Sequence, residues 1–306
     1  MACQQPLPRT GFGLLSFTWR PQAISDDQAF AAMKAAIDNG ATVWSSSSIY
    51  GIPPEPPTAD LLLLRRYFQK YPEDARKVTL FIREEMRAIW EECNQMIGGV
   101  KYIDIFGPAR MNRKIPAEET IGALKKLQDE GKVGAVSLSE LRVETIRRAS
   151  AVCPIRFAVI EFSLWSTEML DNGVAFAVKE CNVSLMCYAP LGYGFLTGAI
   201  KKIGDIPEGD SRHKIGRFQP ENFAKNLASV DKIKCIEKKK GVTPSQLALE
   251  WIRAQSNVGN CVERVRENCK IIEMSTRDKI EVDRILQSLS VAGHRQLPGM
   301  DHFLWT

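Results

Sequence analysis

Short apolar runs alternate with amphipathic segments along the whole chain. The runs at residues 42–44, 78–82 and 102–106 are each followed by a segment with apolar residues at helical spacing. Apolar runs of this length are typical of strands buried on both faces, and the segments between them are typical of helices that cover a sheet. The further predicted strands lie in the apolar run 11–19 and at 133–138, 157–161 and 184–188.

Capping residues mark the ends of several predicted helices. Ser25-Asp26-Asp27-Gln28 is a capping-box pattern, and Gly40 supplies the left-handed residue that ends the helix it opens. Thr243-Pro244 places a cap residue before a proline at the first helical position. The remaining predicted helices cover 61–68, 87–97, 118–129, 143–151, 174–181, 224–239 and 245–254.

The repeat of strand and helix predicts the fold class. Seven such units at a spacing of roughly 25 to 35 residues indicate a parallel sheet with helical crossovers. The number of units favours an eightfold α/β barrel over a doubly wound sheet. Residues 11–15 form only half of a GxGxxG phosphate loop, and no acidic ribose ligand follows a second strand. We therefore predict one (β/α)8 barrel of the TIM type, a single domain over residues 1–306.

Composition narrows the class of protein. With 306 residues, 44% apolar and 25% charged, the chain has the make-up of a globular enzyme, which excludes disordered, collagenous and coiled-coil proteins. The N-terminal MACQQPLPRT has no apolar core, and no apolar stretch is long enough for a membrane helix, so we expect a cytoplasmic protein. A net charge of +5 is too mild to suggest nucleic acid or membrane partners, which leaves a small-molecule substrate. Eight cysteines without a CxxC pair suggest free thiols, and we expect no metal site.

In a barrel, the chemistry lies where strands end and the following loops begin. The side chains to consider there belong to Ser45, Tyr50, Arg83, Ala109, Arg110, Ser139, Glu140 and Tyr188. Trp19, Trp44 and Trp165 also lie at strand ends. We expect them, with Ala109 and Arg110, to line an aromatic substrate pocket, although tryptophans more often serve as core.

Six segments at these positions resemble the aldo-keto reductase superfamily, and within it the fungal pyridoxal reductases. They read GATVWSSSSIYGIPPEPPTADLLLLRRYFQKYPEDARKV, IDIFGPAR, VSLSE, EFSLW, YAPLGYGFLTG and ERVRENCK, in the order of the family. The match as a whole runs from about Gly11 to Asn268. The resemblance implies hydride transfer from NADPH to a carbonyl group. The proton donor is then a tyrosine, assisted by a lysine, an aspartate and often a histidine.

Carried over residue by residue, this catalytic group is altered. Tyr50 matches the tyrosine, whereas the aspartate position holds Ser45 and the lysine position holds Arg83. The histidine position holds Ala109, and the fungal pyridoxal reductases look similar in lacking this histidine. We expect Tyr50, Arg83 and Ser45 to form the catalytic group.

Arg83 has two interpretations. It keeps the positive charge that favours a tyrosine anion, but it cannot relay a proton. The alternative is a structural arginine that pairs with Glu84, Glu85 or Glu140.

The cofactor positions are also mixed. If a cofactor binds, the resemblance implies roles for Ser139, Glu140, Tyr188, Leu191, Gly192, Gly194, Arg264, Glu267 and Asn268. In that arrangement the first two hold the nicotinamide amide, Tyr188 stacks on the ring and the last three bind the adenosine end. Against this, Val159 stands where the family has a glutamine, and the eighth strand between Gln255 and Cys261 is about six residues short of the family pattern. We predict an aldo-keto-reductase-type barrel with a shortened eighth strand.

These losses lead to three functional hypotheses. The favoured one is a cofactor-independent, non-redox step on a small carbonyl metabolite, such as a cyclisation, isomerisation or dehydration in fungal secondary metabolism. There Tyr50 is the acid or base and Arg83 a fixed cation. The alternative is an NADPH-dependent reductase of an aldehyde or ketone such as pyridoxal. The third is a non-catalytic binding protein.

Overall fold

The chain folds into a closed barrel of eight parallel strands, here described from a computed structural model. The structure describes residues 8–22, 24–84, 88–255, 260–262, 274–289, 291–298 and 304–305. Each strand pairs with the next along the chain, and the eighth returns to the first. The predicted α/β barrel is therefore confirmed. Its strands are β1 (Thr10–Gly13), β2 (Val43–Ser46), β3 (Thr79–Arg83), β4 (Ile105–Gly107), β5 (Ala135–Ser139), β6 (Ile155–Glu161), β7 (Ser184–Tyr188) and β8 (Asn260–Val262).

Helices surround the barrel. They are α1 (Leu15–Thr18), α2 (Asp26–Asp38), α3 (Ala59–Lys70), α4 (Ala88–Ile97), α5 (Ala117–Asp129), α6 (Val143–Val152), α7 (Val174–Glu180), α8 (Pro220–Lys240), α9 (Pro244–Arg253) and α10 (Thr276–Gln287). The apolar run 11–19 divides into β1 and the one-turn helix α1, and the long stretch after β7 contains four short 3-10 helices. None of the helices in the described ranges is long and apolar enough to cross a membrane.

The eighth strand is short, as predicted, yet it completes the barrel. It has three residues and pairs with β7 through Met186 and Asn260, and with β1 through Gly11 and Val262. Two register pairs on each side are enough to remove the free strand edges that an open seam would expose.

The alternation of side chains along the strands separates the inside of the barrel from its outside. The lower interior is apolar and holds Val43, Phe81, Ile105, Ala135, Phe157, Val159 and Met186. Two residues further along β2, β3 and β7, the inward positions belong to Ser45, Arg83 and Tyr188. The polar inner layer therefore lies at the carboxyl ends of the strands, where barrel enzymes have their sites.

The same alternation puts Trp44 on the outer face of β2. Its ring stacks on Phe68 of α3 at 5.8 Å, and its indole N–H donates to the Ala41 carbonyl at 2.9 Å. The side chain is fully buried between barrel and helix. It therefore belongs to the core and does not line the mouth, contrary to the expectation for a pocket residue.

Asp60 fastens α3 to the barrel. It lies in the first turn of α3, is fully buried and accepts a hydrogen bond from the Ser46 hydroxyl of β2. The Thr18 hydroxyl donates to the Tyr50 carbonyl at 2.5 Å and lies 3.4 Å from Asp60 Oδ1.

The buried surroundings of Asp60 favour the neutral form of its carboxyl group. Burial raises the pKa of Asp60 to about 7, while the hydrogen bonds with Ser46 and Thr18 act in the opposite direction. An acid whose pKa is raised on folding contributes stability below its unfolded pKa, and this contribution is lost as the pH rises through the folded value. The wild-type protein should therefore lose stability from Asp60 between about pH 4 and pH 7.

We predict that Asp60→Asn removes this pH dependence. The amide is isosteric with the neutral acid, can donate to Thr18 and can accept from Ser46. The variant should match the wild type near pH 4 and exceed its free energy of unfolding by on the order of 4 kcal/mol above pH 7. Urea unfolding at pH 4.5, 6 and 8 measures the difference, with the exposed Asp129→Asn as control. A constant difference between Asp60→Asn and wild type across this range would contradict the prediction.

Candidate active site

Tyr50 and Arg83 meet at the mouth of the barrel. Tyr50 lies in the loop after β2 and is 9% exposed, and Arg83 ends β3. The guanidinium Nη2 of Arg83 donates a hydrogen bond to the Tyr50 hydroxyl oxygen. Because arginine has no acceptor, the hydroxyl hydrogen of Tyr50 stays free to donate to another group. The predicted tyrosine–cation pair is thus brought together with the tyrosine poised as a donor.

The structural alternative required an ion pair between Arg83 and a glutamate. In the described part of the chain, Arg83 pairs with neither Glu84 nor Glu140. The Glu84 carboxylate accepts from the Ser47 hydroxyl at 2.9 Å and from the Ser48 backbone N–H. Glu140 pairs with a distant arginine, and Glu85 lies outside the described residues. Within the described part of the chain, the Nε–H of Arg83 is buried without a hydrogen-bond partner.

The other predicted residues of the mouth divide into neighbours and supports. Ser45 is buried on β2, next to the strand that carries Arg83. Ala109 follows β4; its N–H donates to the Glu84 carbonyl, and its own carbonyl accepts from Arg110 Nη1 at 2.6 Å.

Arg110 connects β5 with β7 across the mouth. Its Nη1 lies 3.4 Å from the Ser139 hydroxyl and its Nη2 lies 3.5 Å from the Tyr188 hydroxyl. The Arg83 Cζ lies 5.8 Å from the centre of the Tyr188 ring. Tyr188 therefore has one guanidinium group at its phenolic end and another near its ring.

Glu140 is occupied by an ion pair that the sequence did not indicate. Arg295, from the C-terminal segment 291–298, places Nη2 2.9 Å from Glu140 Oε2 and Nη1 2.9 Å from Glu161 Oε2. All three side chains are at most 5% exposed. A nicotinamide amide at Glu140 would have to share this carboxylate with Arg295.

A second arginine and a glutamine complete this network. Arg217 lies 3.6 Å from Glu161 Oε1 and donates to the Ser166 hydroxyl at 2.9 Å. Gln296 donates to Glu161 at 3.1 Å and to the Tyr188 hydroxyl at 3.3 Å. The network therefore holds the segment 291–298 against the ends of β5, β6 and β7.

Burial and charge both act on the titration of this network. Burial raises the pKa of Tyr188 well above its ordinary value, and the negative charges of Glu140 and Glu161 act in the same direction. Burial also raises the pKa of Glu161, although the charges of Arg295 and Arg217 oppose this. Tyr188 therefore stays a neutral phenol at physiological pH.

The loop after β7 has the backbone of a tight turn. Gly192, Tyr193 and Gly194 have φ values of 56°, 55° and 94°. Trp165 packs beside this turn with its ring centre 4.6 Å from that of Phe195, and Leu191 is buried. Trp19 is half-buried at the end of α1. Three predicted cofactor residues, Arg264, Glu267 and Asn268, lie outside the described residues.

We predict that Arg295→Met strongly destabilises the protein. Removal of the guanidinium leaves two buried carboxylates with Arg217 as the one cation that still pairs with them among the described residues, and breaking a buried pair costs about 3–5 kcal/mol. The free energy of unfolding from urea titration measures the effect. Arg148→Met is the control, because Arg148 and Glu118 form an exposed pair and its loss should change little. Equal effects of the two substitutions would show that the buried network does not stabilise the fold.

Relatives with curated names cover nearly the whole chain. The chain is 30% identical over 312 residues to a protein named probable pyridoxal reductase 2 from Schizosaccharomyces pombe, covering 93% of each. It is 33% identical over 319 residues to the aldo-keto reductase yakc of the same organism, whose name specifies NADP(+), covering 96% of this chain and 92% of that protein. A probable aldo-keto reductase 1 from Glycine max is 31% identical, covering 97% and 90%.

Solved structures agree on the fold. The glycerol dehydrogenase AKR11B4 from Gluconobacter oxydans superposes with a TM-score of 0.79 at 20% identity, covering 94% of this chain and 93% of the other. A thermostable aldo-keto reductase superposes with a TM-score of 0.71 at 17% identity, covering 93% and 97%.

These findings correct the favoured functional hypothesis. The curated relatives are named as reductases, so the expectation of a cofactor-independent, non-redox step is wrong, and with it the cyclase type and the preference for no cofactor. The origin in fungal secondary metabolism stays a prediction. The sequence profile of the Aldo/keto reductase family matches residues 9–289. The chain belongs to the aldo/keto reductase family and is an enzyme of the oxidoreductase class.

Proposed function

We propose that the protein is an NADPH-dependent reductase of small aldehydes or ketones, with pyridoxal as the first candidate substrate. The observation that carries this proposal is the hydrogen bond from Arg83 to the Tyr50 hydroxyl at the barrel mouth. This hydrogen bond leaves the phenolic hydrogen of Tyr50 free to donate. The guanidinium cation of Arg83 can stabilise the phenolate that forms once the proton is transferred. The names of the relatives support the same class of reaction.

The described residues fit the nicotinamide end of such a cofactor. Tyr188 offers a half-buried aromatic ring. Arg110 contacts both the Tyr188 hydroxyl and the Ser139 hydroxyl. The backbone at Gly192 lies close to two neighbouring side chains: a Cβ added there would lie 3.3 Å from Trp165 and Leu196. The φ of 56° also disfavours any side chain at this position. Leu191, Gly192 and Gly194 would hold the pyrophosphate side, while Arg264, Glu267 and Asn268 stay predictions for the adenosine end. When bound, the cofactor supplies the hydride.

Tyr50 supplies the proton in this proposal. Its hydroxyl donates to the carbonyl oxygen of the substrate as negative charge develops there, which is general acid catalysis. Arg83 then stabilises the phenolate through a charge-assisted hydrogen bond. Because the guanidinium keeps its own proton, Tyr50 must be reprotonated from solvent rather than through Arg83.

Ser45 has a spatial role in the same proposal. A guanidinium group is larger than an ammonium group, and a serine at the aspartate position is smaller than the carboxylate it replaces. Ser45 on β2 leaves room beside β3, where Arg83 reaches Tyr50.

We predict that Tyr50→Phe lowers the kcat for NADPH-dependent reduction of pyridoxal by at least about 100-fold, because it removes the general acid. The assay follows NADPH oxidation, and tryptophan quenching separately checks that the Kd for NADPH is unchanged. Tyr102→Phe is the matched control, since the Tyr102 hydroxyl donates to the Gly131 carbonyl on the surface, away from the barrel mouth. A Tyr50→Phe variant with wild-type turnover, or wild-type protein that does not bind NADPH, would refute the proposal.

A second prediction concerns the charge beside Tyr50. Arg83→Met should lower kcat by about 10- to 100-fold, the effect of losing a hydrogen bond from a charged donor. Arg83→Lys should retain more activity than Arg83→Met but less than the wild type, because it keeps the charge and one donor while Ser45 offers no carboxylate to orient the ammonium group. The same NADPH oxidation assay compares the two. If both variants lost activity equally, the role of Arg83 would be steric and not electrostatic.

A further inference from the structure

In the described ranges, four arginines reach the barrel mouth, and they fall into two classes. Arg217 and Arg295 pair with the buried carboxylates of Glu140 and Glu161. Arg83 and Arg110 do not: their hydrogen-bond partners are neutral oxygens, those of Tyr50 for the first and of Ala109, Ser139 and Tyr188 for the second. Among the residues that the structure describes, no carboxylate forms an ion pair with either of them.

Each of these two guanidinium groups also has a donor that is not used. Among the described residues, the Nε–H of Arg83 and that of Arg110 are buried without a hydrogen-bond partner, as is that of the ion-paired Arg217. A buried donor without an acceptor is unfavourable, and a cation withdrawn from water without a counter-charge is more so. Such groups occur at functional sites, where a ligand supplies what the protein does not.

The two groups lie next to the proton donor. Arg83 Cζ is 5.9 Å from the centre of the Tyr50 ring and 5.8 Å from that of Tyr188, and Arg110 Nη2 is 3.5 Å from the Tyr188 hydroxyl. An acceptor held by Arg110 would therefore belong to a molecule that also reaches Tyr50. Both arginine side chains are partly exposed, so solutes can reach them.

The ligand that fits this arrangement is an anion. The reduced nicotinamide ring and its amide are neutral, so they can accept hydrogen bonds but leave the excess charge uncompensated. A carboxylate or a phosphate monoester accepts two parallel hydrogen bonds from a guanidinium fork and neutralises it. The charge is best balanced by a substrate that carries such a group.

We propose that Arg110 forms an anion subsite that selects carbonyl substrates bearing a carboxylate or phosphate group. The positive charge of Arg83, beside Tyr50, adds to the attraction for this anionic group. This inference rests on the reductase function proposed above. The acidic group of the substrate binds the fork of Arg110, and its carbonyl oxygen is directed to the Tyr50 hydroxyl.

The test compares two aldehydes of nearly the same shape. 4-Carboxybenzaldehyde carries the anion, whereas methyl 4-formylbenzoate is its neutral ester. The wild type should show a kcat/KM at least about 10-fold higher for the acid, and Arg110→Gln should reduce this acid-to-ester ratio by about 10- to 100-fold. Arg110→Lys should retain part of the preference. Arg147→Gln, which alters an exposed arginine paired with Glu180, should leave the ratio unchanged.

Two further comparisons identify the source of the anion. A preference for pyridoxal 5′-phosphate over pyridoxal that is lost in Arg110→Gln assigns a phosphate group, and a preference restricted to the benzaldehyde pair assigns a carboxylate. If Arg110→Gln instead weakens NADPH binding and leaves both ratios unchanged, Arg110 serves the cofactor and the inference is wrong.

A binding measurement separates this inference from the reductase function. Calorimetric titration with benzoate should give a heat of binding in the wild type that is absent in Arg110→Gln. If neither aldehyde is reduced but benzoate binds through Arg110, the reductase proposal fails and the anion subsite stands. If the ester is reduced as well as the acid and benzoate does not bind, the subsite fails and the reductase stands.

Discussion

The mouth of the barrel depends on the neutralisation of two buried carboxylates. Glu140 and Glu161 follow or end neighbouring strands, and at 0% and 1% exposure neither can rely on water. An isolated buried carboxylate is costly enough that the fold must bring a cation to it. The chain does so with Arg295, which comes from far along the sequence. The C-terminal segment is consequently held against the carboxyl ends of β5 to β7.

This neutralisation also decides which charges remain for chemistry. Since Glu140 and Glu161 are engaged with Arg295 and Arg217, the described carboxylates of the mouth do not compensate Arg83 or Arg110. Arg83 and Arg110 therefore bring positive charges to the neutral phenol of Tyr188, and no carboxylate of the described residues forms an ion pair with them. Such a field favours an anion and a developing oxyanion, which links the stability of the barrel to the substrate class that its site would accept.

The sequence predicts those features that follow from local periodicity. The strand and helix succession gives the barrel, and the end of β3 brings Arg83 to Tyr50 because strand ends of a barrel meet at one face. Trp44 shows the limit of a prediction from strand ends alone. It lies one residue before Ser45, so its side chain points to the outer face of the barrel and packs on Phe68. The pair of Arg295 with Glu161 spans 134 positions, and nothing local announces it. A buried glutamate at a strand end predicts only that some cation must come, not which one.

The altered catalytic group follows a physical logic of its own. A lysine beside a tyrosine is a compact charge that depends on an aspartate to orient it, whereas an arginine carries a rigid planar fork with several donors. With Arg83, one donor reaches Tyr50 while another has no acceptor among the described residues. The loss of the aspartate is therefore less severe for an arginine than for a lysine, and the two changes make sense as a pair. A lysine would be a second group able to exchange protons, and Arg83 is not. The proton transfer of the site therefore depends on the hydroxyl of Tyr50.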